Sequence, residues 1–278
     1  MSMKNIADSE KPLIPELKLV KLSHGVLSYR EAGEGKPIVL FHGMNGNSKS
    51  WAYQFAGLSQ KYKVIAWDAP GFGSSDVCDA SPEGYAKAGL EFLEAVHAGG
   101  AVLAGHSMGG VVAARVAAAL NTPVQKLVLS CTHWGYGRTT AEDLMSRYTK
   151  RIEEMKQLGR EEYGRIRASK MLPEDTERAN PEVFKFIAEI SCEGRIEGLA
   201  SAGRMIQTAD NRLLFNKIHQ PILILYGEKD PVIDKAKTDE LIAALPTARV
   251  FMIPGAGHAP YAENGKLYNS LLAEFAGA

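Results

Sequence analysis

The stretch Ala104-Gly105-His106-Ser107-Met108-Gly109-Gly110 decides how this chain is read. Before it, Ala101-Val102-Leu103 is an apolar run that follows the Gly99-Gly100 break and predicts a buried strand. After it, Val111 to Leu120 is Ala-rich and apolar almost all round, which predicts a buried helix. A serine at a strand-to-helix joint this tight sits in strained backbone with its hydroxyl pushed into the open. The residues two before and two after must then be nearly free of side chain, and Gly105 and Gly109 meet that demand. The next backbone N–H, that of Met108, falls at a helix N-terminus, where donors are free and the dipole favours negative charge. The context, more than the five-residue pattern, makes Ser107 a nucleophile rather than a plain helix cap.

The 278 residues suffice for one large domain, or for one domain with an insertion, and for a substantial core. Hydrophobic residues are 45% and charged residues 23%, ordinary for a globular chain and unlike a disordered one. Lys+Arg and Asp+Glu both number 32, so no basic excess points to nucleic acid. Cys78, Cys131 and Cys192 are widely spaced, which excludes a CxxC metal knuckle and disfavours a disulfide framework. The polar stretch Met1 to Glu16 lacks the apolar core of a signal peptide, and no run is long enough to span a bilayer. The expectation is a cytoplasmic protein with a small-molecule substrate, no nucleic-acid partner and no membrane; oligomeric state is left open.

Working outward, Leu17 to Leu22 and Gly25 to Arg30 alternate and predict an antiparallel edge hairpin. Ile38 to Phe41 and Val64 to Trp67 are apolar runs of the kind a strand covered on both faces requires, and Val124 to Ser130 predicts another strand. Ser48 or Ser50 is the expected cap of a helix from about Trp51 to Gln60, and Ser81-Pro82-Glu83 opens another. Strand and helix alternating at this spacing predict crossovers, hence a mostly parallel, doubly wound α/β sheet. The rhythm stops from about His133 to Leu214, where charged helical segments appear with basic and acidic residues in balance. It resumes with the strand Pro221 to Tyr226, a helix near Lys235 to Leu245, the strand Val250 to Ile253 and a last helix. Residues 1–133 and 215–278 therefore read as a core and 134–214 as an inserted helical cap. The apolar stripe of that insertion reads mainly as packing, with a minority of residues lining a cavity.

A serine hydroxyl needs a base, and the base needs an anion to fix its tautomer. In an open parallel sheet, both must come from loops at the carboxyl ends of strands. His258, in Gly255-Ala256-Gly257-His258-Ala259-Pro260, directly follows the last strand. The turn Gly227-Glu228-Lys229-Asp230-Pro231 follows the neighbouring one and offers two acids. His42 reads as a support for its own loop, His106 as pointing away from the cleft, and Cys131 as an apolar filler. His133 and Trp134 lie at the entrance to the insertion, and with Met145 and Tyr148 are the expected substrate contacts.

The elbow, the His42-Gly43 turn, Asp68 to Ser74, Gly227 to Val232 and Gly255 to His258 together resemble the α/β-hydrolase superfamily over essentially the whole chain outside the insertion. That resemblance implies Ser107 as nucleophile, His258 as general base and then acid, and Asp230 as its orienting carboxylate, since members place the acid just before such a Pro-Val step. It also implies an oxyanion hole from the N–H groups of Met44 and Met108. Serine at 107 is unlike the haloalkane dehalogenases and epoxide hydrolases, which carry Asp there. Carbon–carbon hydrolases of ring-cleavage products often have Trp after the catalytic His, where this chain has Ala259. Haloperoxidase-like members have an aromatic residue where this chain has Met44 or Met108. The expected activity is hydrolysis of a small or medium carboxylic ester or lactone, needing no metal and no cofactor. A carbon–carbon hydrolase, and then a hydrolase-fold binding protein, are the alternatives.

Overall fold

The computed structural model describes residues 11–277; residues 1–10 of the polar leading stretch, and Ala278, lie outside the described residues. Eight strands make one sheet: β1 (Leu17–Leu22), β2 (Gly25–Ala32), β3 (Pro37–Phe41), β4 (Lys63–Trp67), β5 (Ala101–His106), β6 (Val124–Ser130), β7 (Ile222–Gly227) and β8 (Arg249–Ile253). Their spatial order is β1-β2-β4-β3-β5-β6-β7-β8. The β1–β2 and β2–β4 pairs are antiparallel and every other pair is parallel. The expected edge hairpin and parallel sheet are both present.

Alternation along the central strands explains why they are apolar throughout. Val39, Phe41, Leu103, Leu127 and Leu129 enter the cluster on one face, while Ile38, Leu40, Val102, Ala104 and Val128 enter the cluster on the other. Helices α1 (Ala52–Leu58), α2 (Pro82–Ala95) and α3 (Met108–Ala118) follow β3, β4 and β5. Val111, Val112 and Val116 of α3 are fully buried, each contributing roughly 1.5–3 kcal/mol. The hydroxyl of Ser81 accepts from the N–H of Gly84 at 3.0 Å and starts α2, as expected. The helical turn before α1 differs: Asn47, not Ser48 or Ser50, is its cap. The Asn47 side chain accepts from Lys49 N–H, and the Ser50 hydroxyl accepts in return from Asn47 N–H.

Between β6 and β7 run α4 (Ser146–Leu158), α5 (Arg160–Met171), α6 (Thr176–Ala179), α7 (Pro181–Cys192) and α8 (Ile196–Thr208), with one isolated bridge between Gly135 and Asp210. The chain closes with α9 (Lys235–Ala244), the short α10 (Pro260–Glu263) and α11 (Gly265–Gly277). Among the described residues no helix is long and apolar enough to cross a membrane. β3 has β4 on one side and β5 on the other, so the sequence order reverses between β3 and β5. That reversal opens a crevice at the carboxyl ends, where a doubly wound sheet places its site.

Candidate active site

Ser107 joins β5 to α3 with φ +52° and ψ −117°, a backbone conformation that side chains rarely adopt. Backbone and side-chain hydrogen bonds hold it there. Its N–H donates to Ser130 O at 2.8 Å, and its carbonyl accepts from Gly110 N–H at 2.9 Å and from the Thr132 hydroxyl at 2.6 Å. The turn requires glycine on both sides. A Cβ on Gly105 would lie 2.3 Å from Gly109 O, and one on Gly109 would lie 2.2 Å from Phe41 O.

His258, after β8, brings its Nε2 to 3.1 Å from the Ser107 hydroxyl oxygen. Its Nδ1 lies 2.8 Å and 3.0 Å from the two carboxylate oxygens of Asp230, in the turn after β7. The His258 and Asp230 side chains are 4% and 5% exposed. Burial pushes the Asp230 carboxyl up, but the His258 charge and hydrogen bond bring it below its ordinary value, helped by the N–H groups of Ile233 and Val232. Asp230 is therefore an anion that accepts from Nδ1–H, and that bond aims Nε2 at the Ser107 hydroxyl. A hydroxyl, an imidazole and a carboxylate in this line can take a proton off the hydroxyl.

Met108 is the first residue of α3, so its N–H has no acceptor within the helix. Met44 and Ser107 line the same pocket from the β3 and β5 ends. Ala69 N–H donates to His42 Nε2 at 2.9 Å, so the Nδ1–H donates to Gly43 O at 2.7 Å and fixes the turn before Met44. His42 is thus a loop support.

The sequence profile for the alpha/beta hydrolase fold matches residues 36–265, from β3 to the start of α11. The chain belongs to that family. Its relatives include a pimeloyl-[acyl-carrier protein] methyl ester esterase of Nitrosomonas europaea, 28% identical over 251 residues, covering 82% of this chain and 91% of that protein. Among solved structures, a thermophilic esterase from Thermogutta terrifontis is 25% identical with a TM-score of 0.81, covering 93% of this chain and 97% of that one. An enol-lactonase from Burkholderia xenovorans has a TM-score of 0.80 at 24% identity, covering 91% and 97%, and shares the fold.

The expected substrate contacts lie elsewhere than the pocket lining. His133, Trp134, Met145 and Tyr148 do not line the pocket over Ser107. The His133 ring accepts from Gly135 N–H at 2.9 Å and packs edge-on against Tyr136. Burial, with Lys237 and Arg147, lowers its pKa to about 4. Trp134 packs against the main apolar cluster, Met145 N–H donates to the Gln207 side chain at 2.8 Å, and Tyr148 is buried. From this helical stretch Arg151 and Met171 line the pocket instead.

His106 also departs from expectation: its ring lies 4.8 Å from that of His258, centroid to centroid, and lines the pocket floor. The cause is strand alternation, which puts His106 on the same face as Val102 and Ala104, where Tyr261 and Ala259 also pack. Burial, then the nearby His258 charge, hold its pKa well below the ordinary value, so it sits there neutral. Cys131 is more than filler. It is buried with φ +45°, and its thiol lies close to the Asp230 carboxylate. Cys131, Asp230 and His258 bring ligand-type atoms within 4.8 Å of one another. Burial and the Asp230 charge push the thiol well above its ordinary pKa, which disfavours the thiolate a metal needs.

Like Arg151 and Met171, one more residue went unread in the sequence. Glu263 of α10 accepts from the N–H of Gly257 at 2.7 Å and of Ala259 at 2.9 Å, the two neighbours of His258. The His258 N–H itself donates to Met171 O at 2.8 Å, so the end of α5 clamps the same loop.

Proposed function

We propose that the protein is a serine hydrolase that cleaves a small or medium carboxylic ester or lactone through an acyl-enzyme on Ser107. The observation that carries this reading is the single line of hydrogen bonds from the Ser107 hydroxyl through His258 to Asp230. In this mechanism His258 Nε2 takes the hydroxyl proton as Ser107 Oγ bonds the carbonyl carbon. The oxyanion that forms lies against the N–H groups of Met44 and Met108. Two preorganised donors there are a large electrostatic contribution, and loss of one costs roughly 10²–10³ in rate. Collapse breaks the ester C–O bond, and Nε2 returns its proton to the departing alkoxide, which stays tethered if the substrate is a lactone. Water then gives a proton to Nε2 and attacks the acyl carbon, releasing the acid and restoring the serine.

The name of the Nitrosomonas europaea relative, a methyl ester esterase, supports ester chemistry, and Ala259 after His258 gives no support to carbon–carbon cleavage. Pre-steady-state mixing with p-nitrophenyl butyrate tests the reading. The wild type is expected to release a burst of nitrophenol equal to the enzyme concentration, and Ser107→Ala to lose both the burst and at least about 10³-fold of steady turnover. A Ser107→Ala variant that keeps wild-type turnover would sink the proposal.

A further inference from the structure

The pocket over Ser107 contains a cation with no counter-ion among the described residues. Arg151 of α4 lines it together with Ser107, His258 and Met44. Its hydrogen bond is to the thioether of Met44, at 3.1 Å, a weak acceptor for a guanidinium. No salt bridge among the described residues includes Arg151. Burial above all holds its pKa below the ordinary value, and the charged groups that add to this are themselves cations, Arg167 and then Arg147. Arg167 is paired with Glu154, which also takes Lys170, so that carboxylate is committed. Arg147 rests over the rings of Tyr136 and Tyr148 and donates to the Tyr136 hydroxyl. Asp230 is engaged by His258, Val232 and Ile233.

A partly buried guanidinium that faces a reaction centre without an anion costs stability, and the cost is removed when a ligand supplies one. Its planar fork matches a carboxylate through two parallel hydrogen bonds. The free space in the pocket is about 40 Å³, room for only a few waters. An entering substrate must therefore displace something. The Arg151–Met44 contact is the one that a ligand anion exchanges for a better bond, because a carboxylate is a far stronger acceptor than a thioether. Arg151 and Ser107 line this one small pocket, so a ligand whose carboxylate meets the guanidinium while its carbonyl meets the hydroxyl must be short.

We propose that the substrate is an ester or lactone carrying a free carboxylate a few carbons from the scissile carbonyl, and that Arg151 binds that carboxylate. This deepens the serine-hydrolase reading and rests on it. It makes Arg151 the residue that selects half-esters over neutral esters, while the Met44 loop it releases carries one of the oxyanion donors.

The test compares monomethyl glutarate with methyl valerate by pH-stat titration. The expected result is a wild-type preference for the half-ester in kcat/KM. In Arg151→Gln that preference ratio falls 10–100-fold, mainly through KM of the half-ester, the loss expected for a charge-assisted pair. Arg151→Lys, which keeps the charge but not the fork, retains part of it. Near-UV circular dichroism confirms that each variant is folded. A ratio unchanged by Arg151→Gln, or a wild type that favours the neutral ester, overturns the proposal while leaving the hydrolase intact. Calorimetric binding of monomethyl glutarate to Ser107→Ala, with and without Arg151→Gln, separates the two readings from the other side. Arg151-dependent binding alongside a wild type that turns over neither ester upholds the anion site and removes the hydrolase reading. Absence of binding in Ser107→Ala overturns the anion site.

Discussion

Glu263 shows how a residue outside the triad can set its geometry. Its carboxylate holds the N–H groups on both sides of His258, and replacing it with Ala leaves two donors without a partner. Burial pushes its pKa up to about 7 against the pull of those donors and of His258. A carboxyl raised in the folded state favours the protonated form, so its contribution to stability is full below the ordinary Glu range and is lost as pH rises through 7. Gln fixes the neutral form. Urea unfolding across pH 4 to 8 is expected to show the wild type losing about 3 kcal/mol relative to Glu263→Gln over that window. A gap that stays constant with pH would contradict the assignment. Glu263→Ala is expected to cost up to about 10²-fold in kcat through a displaced imidazole. At this scale Ser107 and His258 were legible because each is flanked by small residues in the chain itself, whereas Asp230 shares its turn with Glu228 and was singled out by the family resemblance. Glu263 was not, since its partners are backbone amides, and nothing in a side-chain pattern records those.

The elements were legible wherever one physical demand dominates. Strands buried on both faces must be apolar throughout, and a tight elbow must have glycines, so β3, β5, β6 and α3 announce themselves. The cap before α1 was misassigned because Asn47, Ser48 and Ser50 are all competent cap residues, and which one turns inward depends on neighbours distant in sequence; Asp68, for instance, takes the Ser48 N–H at 2.6 Å. The pocket contacts of α4 were misplaced for a related reason. Met145 and Tyr148 share a helical face with Arg151, and only the docking of α4 decides which turn meets Met44. The joint between β3 and α3 offers a direct test. A Cβ on Gly109 would press on Phe41 O, at the root of the Met44 loop, and shift the Ser107 elbow at the same time. Gly109→Ala is expected to lose roughly 1–3 kcal/mol in chemical denaturation. Its activity is expected to fall much further than its stability, since nucleophile and oxyanion loop move apart. Active-site titration on folded protein measures that difference, and full burst amplitude and rate would refute it.

At the scale of the whole molecule, helices α4 to α8 interrupt the sheet in sequence but share its interior. Tyr148, Met155, Tyr163, Leu199 and Met205 lie in one apolar cluster with Phe41, Trp67 and Leu103. Met171, Leu172, Phe184 and Ile187 lie in the other, with Trp51, Phe55 and Tyr261. Polar bonds tie the same parts: Tyr85 donates to the Ser201 hydroxyl at 3.0 Å, Arg195 to Ser75 O at 2.9 Å and the Asn211 side chain to Val111 O at 2.9 Å. The alternation of strand and helix reads this stretch as an insertion and its apolar stripe as packing on the sheet, but which residue joins which cluster is settled only on folding. A unit that contributes to both clusters cannot melt while the sheet stays packed, because each departing side chain leaves a cavity behind. Thermal unfolding is therefore expected as one transition, with near-UV and far-UV circular dichroism coinciding. A chain in which a short Gly/Ser linker replaces residues 134–214 should lose the near-UV signal while keeping secondary structure, since both faces of the sheet would be left with exposed apolar surface. Two resolved transitions, or a native near-UV spectrum in the shortened chain, would show instead that the sheet stands alone and that the helices are an appendage.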